Sequence, residues 1–409
     1  PRLFFIARHM LLGSLTVCLL AAPPHARELN LGYTYDRYLQ DFGKVYSSQE
    51  YGAHRTVFEK RLLEIVKHNN GAGSSMYVKG VNSFTDLTDE EFTKMLGGRA
   101  TSLHLNGGEL ASSNTTLTPL AGRLSRSASD PLPEAVDWRA CTPWSDSPLC
   151  PLAARPAAPI TTPVKNQGQC GSCWAFASTA TLESHFSLAT GRSEDLSPQH
   201  LVSCAPNDDQ CGGTGGCSGS TADVAYTWLA SNGGLASAYT YGYSSGVDGA
   251  TGACETARTT PLAAVGGLGK PASNDYDALM EAVATVGPIA VNVYASNWRD
   301  YESGVYDGCN YSSDIAINHV VVLEGYGTDE ATGLGYWLIR NSWSTAFGEH
   351  GYIRLLREPS PVCGVDHEPG DGWDCKPFPP SVQVCGMCGV AYEPTYPKGV
   401  GVANVSALR

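Results

Sequence analysis

One stretch constrains this chain more than any other: Gln167-Gly168-Gln169-Cys170-Gly171-Ser172-Cys173-Trp174-Ala175-Phe176. Here a Gly-rich turn runs into an apolar segment reaching about Leu188, in which Trp174, Phe176, Leu182 and Phe186 are interspersed with Ala. Such a segment predicts a helix buried on most sides. Cys173 then stands at its N-terminus, where unpaired backbone N–H groups and the positive end of the helix dipole favour an anion. A thiol in that place loses its proton more readily, which is how a nucleophile is made.

Two further segments fit such a nucleophile: Asn318-His319-Val320-Val321-Val322-Leu323-Glu324-Gly325-Tyr326-Gly327 and Asn341-Ser342-Trp343. Each residue taken singly has an ordinary reading: Cys173 as half of a disulfide, His319 as a satisfied histidine beside a strand, Asn341 as a turn residue. Together, Cys-Gly-Ser-Cys-Trp at 170–174 with a His 146 residues after Cys173 and an Asn beyond it resembles the papain/cathepsin family of cysteine peptidases. The resemblance implies Cys173 as nucleophile, His319 as acid/base and Asn341 as acceptor of the ring N–H. It also implies Gln167, beside the Cys173 backbone N–H, as oxyanion donor, and Trp343 as a shield over the His319–Asn341 bond. At pH ~5.5 an unassisted thiol of pKa ~8.5 is ionised about once in a thousand molecules, so roughly three pK units, or ~4 kcal/mol, must come from its surroundings. An imidazolium partner and a helix N-terminus are the expected source.

Zinc is the rival use of Cys170-x-x-Cys173 and Cys385-x-x-Cys388, but it would tie up the proposed nucleophile. No metal or other cofactor is expected. A thioredoxin-like role lacks its βαβ surroundings. Residues 1–26 carry Arg2 and Arg8, an apolar run from Met10 to Ala22, then Pro23-Pro24, which predicts a secretory signal with Met10 or an upstream residue as the start. With Cys18 in that signal and Cys173 reserved, the remaining twelve of the fourteen cysteines suit six disulfides in an oxidising compartment. A net charge of −13 and a pI near 5.2 argue against nucleic acid or an anionic membrane as partner. At 409 residues and 42% hydrophobic, the chain has room for two or three domains.

From about Tyr33 to Leu96 the period is helical, and Glu50, Phe58, Ile65 and Asn69 fall on one predicted stripe. This part resembles the family's inhibitory propeptide, with His54 in place of the usual Arg and Arg61 in place of the first Asn. Gly80-x-Asn82-x-Phe84-x-Asp86 matches the propeptide's second motif in full. The family's propeptide packs on the mature enzyme and blocks its cleft, so this chain's own propeptide is expected as an intramolecular inhibitor of a zymogen. Residues Gly97 to Pro131, rich in Ser, Thr, Leu and Gly and holding a sequon at Asn114, read as an exposed linker cut near Pro131. The expected layout is signal 1–26, propeptide 27–100, linker 101–131 and peptidase 132–409.

Two stretches depart from the family pattern: a Pro/Ala-rich insertion between Arg139 and Thr162 with Cys141 and Cys150, and a Pro/Gly/Cys-rich one at 358–388. Cys141 and Cys150 are close enough in sequence to close a small loop. The resemblance pairs Cys170 with Cys217, Cys204 with Cys254 and Cys309 with Cys388, and leaves the partners of Cys211, Cys363, Cys375 and Cys385 open. It makes Gly219 and Ser220 the backbone edge that binds substrate, Ser220 replacing a Gly. It puts Asn292 on the wall and Glu393 on the floor of the S2 pocket, and Asn318 beside the histidine. A Glu floor implies acceptance of Arg as well as Phe or Leu at P2, against the plain reading of Glu393 as a solvated carboxylate. Phe347 and Ser344 stand where Trp and Gly are more usual, which alters the primed side.

Beyond Gly287-Pro288 the period turns to strands: Ile289, Val291 and Val293, then His319–Tyr326 and Tyr336–Asn341. A hairpin centred on residue 330 would set His319 opposite Asn341. Early helices and late strands predict an α+β protein, and the resemblance makes it a papain-like two-domain fold, a helical left half and a β-barrel-like right half with a cleft between, preceded by a helical propeptide. The expected activity is that of a monomeric cysteine endopeptidase acting on protein and peptide substrates, in a lysosome, vacuole or outside the cell. No occluding segment is recognisable, which favours cutting within chains. A catalytically silent binding homologue and a disulfide-rich inhibitory protein remain as alternative classes. Sequons at Asn310 and Asn404 suggest glycans.

Overall fold

The computed structural model describes residues 30–71, 76–97 and 131–404. The expected signal, most of the linker and the Asn114 sequon lie outside them. Helices are α1 (Tyr35–Asp41), α2 (Ser48–Asn70), α3 (Asp89–Leu96), α4 (Cys173–Thr190), α5 (Pro198–Cys204), α6 (Ala222–Ser231) and α7 (Tyr276–Thr285). Strands are β1 (Tyr77–Lys79), β2 (Val136–Asp137), β3 (Leu235–Ala236), β4 (Pro261–Ala264), β5 (Gly267–Gly269), β6 (Ile289–Val293), β7 (Tyr301–Tyr306), β8 (His319–Thr328), β9 (Gly335–Arg340), β10 (Tyr352–Leu356), β11 (Cys363–Asp366), β12 (Val382–Cys385), β13 (Tyr396–Lys398) and β14 (Gly401–Val402).

The helical half is built round α4, whose residues 173–188 are all buried, as an Ala-rich helix without a polar face requires. Trp174, Leu182 and Phe186 pack there against Leu201, Tyr226 and Leu229. The other half is a seven-stranded sheet in the order β1-β7-β10-β9-β8-β2, with β6 also paired to β8. Its core holds Trp298, Val321, Leu323, Ile339 and Ile353. Helix α4, which starts at Cys173, packs on strand β8, which starts at His319, at the junction of the two cores.

The N-terminal region has its own small core of Tyr35, Tyr38, Phe58, Leu62 and Ile65. Asp86 lies beneath it, fully buried, and accepts from Tyr35 Oη (3.2 Å), Tyr38 Oη (2.9 Å) and Lys44 Nζ. Glu50 does not join the buried stripe expected of it. It sits in the first turn of α2 and closes a capping box with Ser47, since at a helix N-terminus the free backbone donors claim a carboxylate. His54 takes the inner place instead, stacked on Tyr46 with ring centroids 4.1 Å apart. Strand β1 adds to the edge of the sheet through β7, so the region shares backbone hydrogen bonds with the peptidase half.

The β8–β9 register differs from the symmetric hairpin expected. Thr328 pairs with Gly335, and a bulge between Leu323 and Gly325 shifts the ladder to Leu323↔Ile339 and Val322↔Arg340, where β9 stops. His319 instead pairs with Val293 on β6. The turn is centred beyond residue 330, so His319 and Asn341 meet through side chains and not as ladder partners.

Candidate active site

Cys173 occupies the first turn of α4, after Ser172 as N-cap. It is the free cysteine among the described residues, the other twelve forming disulfides. The backbone N–H groups of Val320, Trp174 and Cys173 itself point at its sulfur. Val320 follows His319, so the start of β8 and the tip of α4 are in contact. His319 Nε2 lies 2.9 Å from Asn341 Oδ1, and Nδ1 is buried with no partner among the described residues. With Nε2 donating to the amide oxygen, Nδ1 is the nitrogen left to exchange a proton. The Trp343 ring covers His319 at 4.9 Å, while Ser342 N–H donates to Asn341 Oδ1 at 2.8 Å and fixes the amide.

Gln167 is fully buried and its Oε1 accepts from Ser342 Oγ at 2.6 Å. Its Nε2 donates to Cys170 O (2.9 Å) and to Met95 O (2.6 Å). Met95 belongs to α3 in the N-terminal region. The next carbonyl, Leu96 O, accepts from the Cys173 thiol at 3.4 Å, and Gly97 follows in a left-handed conformation (φ +81°). A Cβ on Gly219 would overlap the carbonyl oxygens of Gly97 and Gly212, so that edge admits only glycine. The end of α3 thus lies on the sulfur, on the Gln167 donor and on the Gly219 edge at once. Phe84 and Phe92 complete the cover, edge-on to Trp343 at 5.7 and 5.3 Å.

This cover sets the electrostatics. Burial pushes the Cys173 thiol up to about 11, with the three N–H groups opposing it only in part. Burial pulls His319 down to about 4, against the Asn341 bond that favours its charged form. The helix tip lowers the thiol by less than burial raises it, because Leu96 and Gly97 exclude the water and the free groups that would further stabilise a thiolate. Both shifts favour a neutral thiol and a neutral imidazole over the thiolate–imidazolium pair.

Of the other residues expected at the site, Asn292 is buried on β6 and donates to Glu393 O (2.8 Å) and Tyr392 O (3.3 Å). The Glu393 carboxylate is bound by Lys270, which also reaches Asp223 at 3.1 Å. Asn318 holds the turn before the histidine, accepting from Ala295 N (3.0 Å) and donating to Ser296 Oγ (2.8 Å). Ser220 is buried and its hydroxyl has no partner among the described residues. Lys270, Ser342 and Tyr243 were not anticipated. Tyr243 Oη binds Ser172 Oγ (2.8 Å) and donates to Gln167 O (2.7 Å), holding the turn before the nucleophile. Ser342, wedged between Asn341 and Trp343, was there to be noticed, but lone Lys and Tyr residues carry no signal.

The structure pairs Cys170 with Cys217, Cys204 with Cys254 and Cys309 with Cys388. It adds Cys141–Cys150, Cys211–Cys375 and Cys363–Cys385. No group of three or more acidic, His or Cys side chains able to hold a metal occurs among the described residues, and no described helix is long and apolar enough to cross a membrane.

Known proteins resemble this chain in both of its parts. Residues 151–371 match the papain family of cysteine proteases, and residues 35–92 match the cathepsin propeptide inhibitor domain (I29). The chain is 35% identical to probable cysteine protease RDL3 of Arabidopsis thaliana over 89% of its own length and 81% of that protein's. Against procathepsin L of Mus musculus it is 33% identical, covering 79% and 86%. The solved digestive procathepsin L2 proteinase from Tenebrio molitor superposes with a TM-score of 0.64 at 28% identity, over 90% of this chain and 100% of that one. The chain belongs to the papain family of cysteine proteases and carries its own cathepsin-type propeptide inhibitor domain, the arrangement of an autoinhibited zymogen.

Proposed function

We propose that Cys173 is the nucleophile of this protease and His319 its acid/base, with Asn341 orienting the imidazole and Trp343 and Ser342 fixing that bond. The observation that carries the reading is the single position of Leu96 and Met95, whose carbonyls engage the Cys173 thiol and the Gln167 amide together. A substrate carbonyl attacked by the sulfur would sit between the same two groups, its oxyanion bound by Gln167 Nε2 and the Cys173 N–H. Gly219, Ser220 and Asn318 border the groove on its non-primed side. The segment ending near Pro131 is removed on maturation, leaving a peptidase that begins about Leu132.

The enzyme works as a monomer, since nucleophile, acid and inhibitor come from one chain, and its substrates are proteins and peptides. Six disulfides support passage through the secretory pathway to a lysosome, vacuole or the exterior. The net charge of −13 disfavours nucleic acid and anionic membrane as partners.

Acid activation of the full chain, followed by a peptide panel varied at P2, tests the reading. Hydrolysis that appears only on loss of the N-terminal region supports it, and none after complete processing overturns it. Asn341→Ala should lower kcat by about tenfold, the cost of one orienting hydrogen bond of roughly 1.5 kcal/mol, with KM little changed. At the S2 floor, Glu393 and Asp223 share Lys270, and a P2 Arg would replace that lysine, whereas Phe or Leu would need neither carboxylate. Glu393→Gln should therefore reduce cleavage after Arg at P2 about fivefold and leave Phe unchanged. Equal losses for both would argue for a structural role.

A further inference from the structure

The second insertion is not a surface ornament. Strands β11 and β12 form a hairpin closed by Cys363–Cys385, and the loop 367–381 between them crosses to the helical half. There Cys375 bonds Cys211, Gly212 N–H donates to Asp374 O (3.1 Å) and Lys376 N–H to Asp209 O (2.9 Å). On the other side, Ile315 N–H donates to Val365 O (3.0 Å) and Ile317 N–H to Asp366 Oδ2 (2.9 Å). At mid-span Gly372 is wedged in contact with the carbonyl of Ile317, two residues before His319, and its own carbonyl presses on Gly212, which adjoins Gly219. A covalently stapled strap therefore spans the groove just beyond its catalytic residues.

The side chains beneath the strap belong to the pocket that would take P2. Trp373 lies over Lys270 Nζ at 4.4 Å, and Asp374 Oδ2 accepts from Tyr392 Oη at 3.1 Å, next to Glu393. Below them Ser220 Oγ and Asn292 Oδ1, in residues 3% and 1% exposed, are without hydrogen-bond partners among the described residues. Ser220 occupies the place the family usually gives to Gly, so its hydroxyl is an addition to the edge that would bind the P2 backbone. An amide N–H offers one hydrogen there, whereas a terminal ammonium offers three and a positive charge.

We propose that the strap closes the non-primed side two residues before the scissile bond, and that Ser220 and Asp374 receive the α-ammonium of a substrate's free amino terminus. The enzyme then releases dipeptides from amino termini in preference to cutting the same sequence inside a longer chain. The inference rests on the papain-type assignment of the groove's polarity made above. The chemistry is unchanged. Cys173 sulfur bonds the P1 carbonyl carbon, the C–N bond breaks with a proton from His319 to the leaving amine, and water hydrolyses the thioester to free the dipeptide acid.

The test uses acid-activated full-length enzyme with its active thiol titrated by an epoxide inhibitor. Three substrates are compared: Phe-Arg linked to a fluorogenic amine with a free amino terminus, its N-acetylated form, and a form extended by one amino-terminal Ala. The free form should show kcat/KM about tenfold or more above the other two, the worth of one charge-assisted hydrogen bond. Asp374→Asn should narrow that ratio, and Cys211→Ser with Cys375→Ser should raise cleavage of the acetylated and extended forms. If those variants fail to fold, the wild-type ratio decides alone. Equal or faster cleavage of the acetylated form overturns the proposal while leaving the protease reading intact. So does a preference that follows the P2 side chain and ignores the amine. No titratable thiol and no cleavage of any substrate would sink both.

Discussion

Removal of the N-terminal region is expected to raise the alkylation rate of Cys173 by about tenfold or more near neutral pH, and Cys173→Ala to abolish both alkylation and hydrolysis. Under the cover of Leu96 and Gly97 the Cys173 thiol is pushed up to about 11 by burial. Near pH 7 such a thiol is almost wholly protonated, and the thiolate is the species alkylated, although a thiolate of lower pKa is the weaker nucleophile and returns part of the gain. Once the cover leaves, water, the helix tip and a charged His319 act together, and thiols in comparable settings ionise fully below neutral pH. In the zymogen the rate should climb with pH toward 11. In the processed enzyme it should be nearly flat between pH 5 and 8. Iodoacetamide kinetics on both forms, read by mass of the labelled peptide, measures this. A zymogen thiol as reactive as the mature one would show that the carbonyl contact does not mask it.

The same numbers bear on what acid does. Covered, the pair is thiol and imidazole; uncovered, it becomes thiolate and imidazolium. A proton moves from sulfur to nitrogen, and none is gained or lost overall between pH 5 and 8. The catalytic pair itself therefore cannot make release of the inhibitor depend on pH over that range. The dependence has to come from charges at the seam between the N-terminal region and the peptidase.

How much of this was legible in the residue string depends on whether a feature is local. A Gly-rich turn before an Ala-rich run carrying Trp174, Phe176 and Phe186 specifies a buried helix with Cys173 at its tip from about twenty consecutive residues, and α4 has that form. The strands around 289–293 and 319–326 are equally readable, because period-two alternation in the first and a run of apolar residues in the second are short-range signals. The pairing of His319 with Asn341 was inferred by a symmetry the hairpin lacks. The bulge beside Glu324, which faces Arg340 and Tyr352 in the core, is set by tertiary packing that no local pattern records. The strap was unreadable for a similar reason. Cys211 and Cys375 are 164 residues apart, and nothing near either names the other. Arg61, legible only as a substitution in a motif, binds Asp89 within its own region and reaches Asp300 across the seam at 3.9 Å.

Arg299→Ala should weaken inhibition of the mature enzyme by its free propeptide about 100-fold. Arg299 is nearly buried in the peptidase, yet most of what it touches lies in the propeptide: Leu87 O at 2.7 Å, Asp89 Oδ1 at 3.0 Å and the Phe92 ring at 4.1 Å. Its backbone carbonyl also accepts from Asn82 Nδ2 at 2.6 Å, a bond the substitution leaves in place. One charged hydrogen bond to a carbonyl contributes about 2 kcal/mol and the cation–ring contact about 1, and Asp89, being largely exposed, adds little. Their sum of about 3 kcal/mol corresponds to the stated factor. Asp89 adds a pH dependence confined to acid below about pH 4. Burial raises its pKa, but Arg299 and Arg61 more than offset this and hold it below the usual carboxylate value. A carboxylate depressed in the complex stabilises it fully above its free pKa, near 4, and ceases to do so as pH falls through the depressed value. Asp89→Asn should therefore weaken inhibition at pH 6 and flatten its loss below pH 4, while Arg299→Ala weakens it throughout. Inhibition constants measured from pH 3.5 to 7 with both variants separate the two effects. If Arg299→Ala left the constant within threefold of the parent, this arginine would not be the clamp, and the β1–β7 strand pairing would have to hold the inhibitor instead.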